Sequence, residues 1–219
     1  KAASIQIGPY DNLEKIKNFA KANNIDFAFI GPEDPLSLGV VDALETINIK
    51  SVGPIKELAR LETSKSFTRL LTKKYNIPGM PKFKVFESTE GIKEFLEELE
   101  ESVIKPDGLT GGKGVKVQGD HYNTKEEAIA YAEEILKDHP SVVIEEKLIG
   151  QEFSLQSLTD GKNLLDFPPV QDHKRAFVGD SGPNTGGMGS YSTGKLLPFM
   201  TEDDLAIAHE ITLKMAEAI

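Results

Sequence analysis

Apolar positions recur along the chain with two different periods. Leu13, Ile16, Phe19 and Ala20 share one face at helical spacing behind Asp11 and Glu14, a capping-box-like start, and predict a helix of about three turns. The next apolar run, FAFIG at 27–31, is short and ends in glycine, as expected of a buried parallel strand. A helical stretch from Pro35 to about Ile47 follows, then KSVGP, so this part of the chain reads as βαβ. Residues from about Ile55 to Asn76 read as helical, with a break near residues 62–64. NIPGMPKF then interrupts the helix with two prolines and a glycine.

Beyond that interruption the period changes. KFKVFES predicts a strand, and a helix capped near Ser88 places Ile92, Phe95, Leu96 and Leu99 on one face. SVIKP and VKVQG flank a glycine-rich segment. Thr124 and Glu127 form a T-x-x-E capping box for a helix whose inner face carries Ala128, Ile129, Ala132, Ile135 and Leu136, and the strand SVVIEEKLI follows. The predicted order is strand, helix, strand, glycine loop, strand, helix, strand. From residue 152 to 167 the pattern alternates around Asp160-Gly161, a hairpin signal.

Length and charge narrow the classes. With 219 residues and 39% hydrophobic content the chain can bury a core as one large or two small domains. A formal net charge of -10 argues against a nucleic-acid partner held by phosphate neutralisation. The absence of cysteine excludes disulfides, thiolate metal sites and a thiol nucleophile. No apolar run approaches the roughly 18 residues of a membrane span, so a soluble, cytoplasmic protein is expected. The chain opens KAASIQIG without a methionine and stops at KMAEAI inside an amphipathic pattern. Both ends are therefore expected to be cut.

The segment KPDGLTGGKGV at 105–115 holds four glycines, Gly108, Gly111, Gly112 and Gly114, and two lysines, Lys105 and Lys113. A Walker A loop needs Ser or Thr after Gly-Lys, but Gly114 follows Lys113, and G-x-G-x-x-G does not fit either. Glycines nevertheless let backbone N–H groups approach phosphate oxygens, and the lysines supply charge. A loop joining two strands rather than entering a helix fits a lid over a nucleotide; the alternative is a mobile hairpin turn with incidental lysines. About forty residues on, Glu145 and Glu146 end an apolar strand and Lys147 and Leu148 follow. Carboxylates there can accept from an adenine amino group and ribose hydroxyls, with Leu148 as a floor; the alternative is a solvated turn.

Lysine at a strand end, a glycine loop and a later acidic segment together resemble the ATP-grasp superfamily. The resemblance sharpens with GPEDPL at 31–36, LETSKSFTR at 61–69, IKPDGLTGGKGV at 104–115, QDHKR at 171–175 and GPNTGGMG at 182–189. These five segments, in order across nearly the whole chain, are similar to the phosphoribosylamine-glycine ligase family. The resemblance implies α/β and α+β architecture: a partial open α/β N-terminal domain at 1–60, then an ATP-grasp region at 61–219. Within that region, 81–149 would be a lid subdomain and 150–219 the start of a second subdomain.

The same resemblance implies ATP-dependent joining of glycine to 5-phosphoribosylamine through a glycyl phosphate in purine synthesis, with no nucleic acid or membrane as partner. Lys65 and Lys105 would reach the nucleotide phosphates and residues 108–114 would form the lid. Glu145, Glu146, Lys147, Leu148 and Glu152 would hold adenosine. Asp172, His173, Lys174 and Arg175 would lie near the reacting glycine and the sugar phosphate, Asp172 suited to an ammonium and Arg175 to an anion. Glu33 and Asp34, at the carboxyl end of a predicted strand, stand either at the ligand edge of an open sheet or in a structural role. Two features of the family are missing: the opening glycine-rich strand-to-helix turn, and a glutamate and asparagine close in sequence that bind Mg2+. The metal ligands are thus expected in a segment absent from this chain. Two other readings remain open, another ATP-grasp carboxylate-amine ligase and a nucleotide-binding module without catalysis.

Overall fold

The computed structural model describes residues 5–111, 114–179 and 181–219. The chain divides into two compact units, Lys1–Ser64 and Lys65–Ile219. In the first, α1 spans Leu13–Ala22, β1 Phe27–Phe29, α2 Glu33–Leu38, α3 Val40–Glu45, β2 Lys50–Val52 and α4 Arg60–Thr63. The cap of α1 is Asn12 rather than Asp11: its side chain accepts from the Lys15 amide at 3.0 Å, three residues ahead. The helix expected from Pro35 starts two residues earlier and is broken into α2 and α3 at Gly39, whose φ is +89°. β1 and β2 are parallel, as expected of βαβ, with Phe27 opposite Lys50. Burial is one-sided, however. Ala28 and Ile30 pack with Val40, Val41, Leu44 and Ile49, whereas Phe27 and Phe29 are exposed.

The second unit begins with α5, Lys65–Lys74, separated from α4 by Ser64 within the break expected from the sequence. There follow β3 Phe83–Phe86, α6 Ile92–Glu97, β4 Ser102–Pro106, β5 Lys116–Val117, α7 Lys125–Asp138 and β6 Val142–Glu146. The four strands form one antiparallel sheet in the order β3-β6-β4-β5. The cap of α6 is Gly91, not Ser88; at φ +77° it turns the chain into the helix from a conformation that serine rarely adopts. α7 has the capping box read from Thr124 and Glu127.

Strand periodicity then sorts the side chains. Ile104 of β4 and Val142 and Ile144 of β6 point to the face covered by α6 and α7, where Ile92, Phe95, Leu96, Leu99, Ala128, Ala132 and Ile135 complete a core. Fully burying each such isoleucine contributes roughly 1.5–3 kcal/mol. The same alternation sends Lys105 and Glu145 to the opposite face.

After β6 come β7 Ser157–Thr159, β8 Leu164–Asp166, β9 Gln171–Asp172, β10 Arg175–Phe177, β11 Ser181–Asn184, β12 Ser190–Tyr191 and α8 Glu202–Glu217. β7 and β8 form the hairpin expected around Asp160-Gly161. Asp160 closes its turn by accepting from the amides of Asn163 and Lys162, at 2.7 and 2.9 Å, and these bonds lower its pKa to about 2.

Candidate functional site

The face of the sheet opposite the helical core carries a cluster of charged side chains. β4 and β6 are antiparallel with Val103 opposite Glu145 and Lys105 opposite Val143, so Lys105 and Glu145 are diagonal neighbours on that face. The Lys105 ammonium bonds Glu145 Oε1, and Arg69 Nε from α5 donates to Glu145 Oε2 at 2.8 Å. Glu145 is only 4% exposed. Burial pushes its carboxyl up, but the Arg69 hydrogen bond and the Lys105 charge outweigh it and hold the group below the usual carboxylate range.

At the Pro106 end of β4 the glycine loop begins beside the first turn of α5. Lys65 Nζ donates to the Gly108 carbonyl at 2.6 Å, and the Ser66 amide donates to Asp107 Oδ1 at 3.1 Å. Where the loop returns, Tyr131 donates to the Gly114 carbonyl at 2.8 Å. A Cβ on Gly114 would lie 2.6 Å from Pro106 Cγ, so only glycine fits this close return. Gly111 is described and sits in a turn, while Gly112 and Lys113 lie outside the described residues.

The acidic segment leaves from the other end of the same strands. Ser102 is opposite Glu146, so Glu146 and Asp107 are separated by five residues along the strand, on the order of 16 Å. Glu146 accepts from the Lys82 amide at 2.8 Å, and Lys147 bonds Glu101 and the Gln118 carbonyl at 3.1 and 3.0 Å. Leu148 is 64% exposed, an apolar side chain presented to solvent at this end.

Two motifs far apart in the sequence come together in a third group. β9 pairs with β12, Asp172 opposite Ser190. His173 exchanges backbone bonds with Gly189 and Met188, at 2.9 and 2.7 Å, and the Lys174 carbonyl accepts from the Thr185 amide at 2.7 Å. QDHKR and GPNTGGMG are therefore facing legs of one folded-back ribbon. The His173 ring stacks on Tyr191, with centroids 6.0 Å apart. Lys174 pairs with Glu152 at 2.9 Å and lies 4.0 Å from Asp172. Arg175 donates to the Gly182 carbonyl at 2.8 Å and pairs with Asp120, in the turn after β5. In the first unit, Glu33 and Asp34 open α2, and Asp34 accepts from the Tyr10 hydroxyl at 3.2 Å.

Arg69 and Asp107 were not singled out from the sequence. A signal for Arg69 exists: Lys65 and Arg69 are four residues apart, hence on one helix face. Asp107 has a weaker one, as a turn-forming residue directly after proline.

Comparisons with known proteins place the fold and the family. A crystal structure of D-alanine–D-alanine ligase from Bacillus anthracis complexed with ATP superposes with a TM-score of 0.62 over 93% of this chain and 64% of that one; at 22% identity it speaks for the fold alone. The phosphoribosylamine–glycine ligase structure from Thermotoga maritima gives a TM-score of 0.70 at 35% identity, over 89% of this chain and 47% of that one. The architecture is thus an ATP-grasp fold, mixed helix and sheet. Residues 2–62 match the N domain of phosphoribosylglycinamide synthetase and residues 63–219 its ATP-grasp (A) domain. The chain belongs to the phosphoribosylglycinamide synthetase family. It is 49% identical to the phosphoribosylamine–glycine ligase of Methanothermobacter thermautotrophicus over 94% of its own length, and it spans about half of that relative, 48%.

Among the described residues no helix is long and apolar enough to cross a membrane.

Proposed function

We propose that this chain carries the ATP-binding part of a phosphoribosylamine–glycine ligase, which joins glycine to 5-phosphoribosylamine to give glycinamide ribonucleotide, ADP and phosphate in de novo purine biosynthesis. The observation that carries the reading is the layout of one sheet face. The glycine loop and Lys65 lie at one end, Lys105 lies along the face, and the Glu146 to Leu148 segment leaves from the other end. A nucleotide laid along β4 would meet cations at its phosphates, and backbone plus an apolar side chain at its base. In this reading residues 1–60 are part of the N-terminal domain, 81–149 form the lid subdomain and 150–219 begin the second ATP-grasp subdomain.

A carboxylate is a poor electrophile. A glycine carboxylate oxygen attacks the γ-phosphorus and ADP leaves; the amine of the sugar then attacks the acyl carbon and phosphate leaves. Positioning and charge neutralisation dominate such transfers, and water must be kept from the acyl phosphate. Lys65 and Lys105 neutralise the phosphates, the 108–114 loop shields them, and Glu152 helps to hold the ribose. Asp172 is suited to the ammonium of glycine. Arg175 is suited to the sugar phosphate, once that anion replaces Asp120. His173, held against Tyr191, and Lys174 border the same place. Mg2+ is the ion the resemblance implies. Among the described residues no group of three or more His, Cys, Asp or Glu could hold a metal, and both Glu145 oxygens are engaged by cations. Mg2+ is usually held by one or two carboxylates together with substrate phosphates; of the residues along this face, Lys65 and Lys105 are the ones assigned here to neutralisation.

Asp172→Asn tests the assignment. Loss of one charged contact costs roughly 1.5–3 kcal/mol, about ten- to a hundred-fold, and should appear in glycine-dependent ADP release while ATP affinity by calorimetry stays within two-fold or so. Equal loss of ATP affinity, or ADP release indifferent to glycine, would refute it.

A further inference from the structure

The Asp107 side chain, just beyond β4, is hydrogen-bonded to Ser66, Gly108 and Ser141. Its Oδ1 accepts from the Ser66 amide and from the Gly108 amide, both at 3.1 Å, and its Oδ2 is bonded by Ser66 Oγ and, at 3.3 Å, by Ser141 Oγ. Its own amide donates to the Ser141 carbonyl at 3.2 Å, and its carbonyl lies 3.0 Å from His139 Nδ1. A carboxylate at the first turn of a helix satisfies amides that have no partner within the helix and complements the helix dipole. Here that carboxylate comes from 41 residues further along the chain, and it joins two elements that each carry a lysine. Lys65 is the residue before Ser66 and Lys105 is two residues before Asp107.

We infer that Asp107 is a positioning residue that fixes the spacing between Lys65 and Lys105 by clamping the start of α5 to the end of β4. This deepens the reading above, on which it rests: the two ammonium groups can bracket one polyphosphate only if strand and helix keep their register. Gly108, whose carbonyl Lys65 holds at 2.6 Å, is drawn into the same unit.

The test compares ATP with adenosine on the folded chain, using Asp107→Ala, Asp107→Asn and Ser66→Ala, with Lys105→Ala as reference and circular dichroism as the check on folding. A clamp acting through the lysines weakens ATP binding by about ten-fold in Asp107→Ala, the size of a lost helix cap, and leaves adenosine affinity within about two-fold. Asp107→Asn keeps an acceptor for the Ser66 amide and restores part of the loss. Should Asp107→Ala fail to fold, Asp107→Asn and Ser66→Ala carry the comparison, each weakening ATP selectively. Equal weakening of ATP and adenosine, or no weakening of either while Lys105→Ala weakens ATP, overturns the inference alone. If Lys105→Ala leaves ATP binding unchanged, the phosphate-site reading falls and the inference falls with it.

Discussion

Replacing Glu145 with glutamine keeps the side-chain shape and removes one charge from a triad. Arg69 and Lys105, with side chains 21% and 22% exposed, would then face each other across a neutral amide. A hydrogen bond to a charged group contributes roughly 1.5–3 kcal/mol, and removing one partner of a fully buried ion pair costs about 3–5 kcal/mol. The fifth of each cation that remains in water allows rehydration and screening, which lowers the expected loss to about 2–4 kcal/mol. Urea denaturation at pH 7, followed by circular dichroism, measures it. The pH dependence has a fixed sign. The folded carboxyl titrates below its ordinary value, so its contribution is present above the unfolded pKa of about 4.3 and is lost as pH falls through the folded value. The gap between wild type and Glu145→Gln should therefore close as pH is lowered below about 4. A loss under about 1 kcal/mol at pH 7, or a gap that persists unchanged into acid, would show that Glu145 does not hold the two cations together.

Lys105→Ala should weaken ATP binding by about ten- to a hundred-fold in calorimetry, one charged contact to phosphate; unchanged affinity would remove the lysine from the site. Thr124→Ala removes the hydroxyl that accepts from the Glu127 amide at 3.2 Å, and should cost about 1 kcal/mol in thermal unfolding. The Asp160 carboxyl should stay ionised down to about pH 2 in an NMR titration, because three bonds from Lys162 and Asn163 favour its charged form. Titration near the ordinary aspartate value would mean that the turn between β7 and β8 is not closed in this way.

Features set by near neighbours were readable from the sequence. SVIKP and SVVIEEKLI form β4 and β6 as their apolar runs predicted, and the Thr124/Glu127 box stands where its spacing predicted. Errors arose where two neighbouring residues could serve equally. Asp11 and Asn12 are both good caps, and α6 starts from the left-handed backbone of Gly91, three residues beyond Ser88, whose side chain is the more familiar capping signal. Gly39 inside an apolar helical pattern could have been tolerated, and only the structure shows the break. The candidate site was legible only by residue type, in its lysines and glycines. The partners of those residues were not legible, because Arg69 meets Glu145 across 76 residues and Asp107 meets Ser66 across 41, separations that only the packing of α5 on the sheet closes. The facing of QDHKR and GPNTGGMG is likewise a product of strand pairing, which neither motif encodes alone.

The central claim, ATP-driven joining of glycine to a sugar amine, is tested most directly by ADP release from the protein that contains these residues. The assay supplies ATP with glycine, ATP with 5-phosphoribosylamine, and ATP with both. Rapid ADP release only when both are present, with glycinamide ribonucleotide formed in equal amount, is the predicted result. ATP that binds but yields no ADP under any of the three conditions, or ADP released at the same rate without glycine, would contradict it.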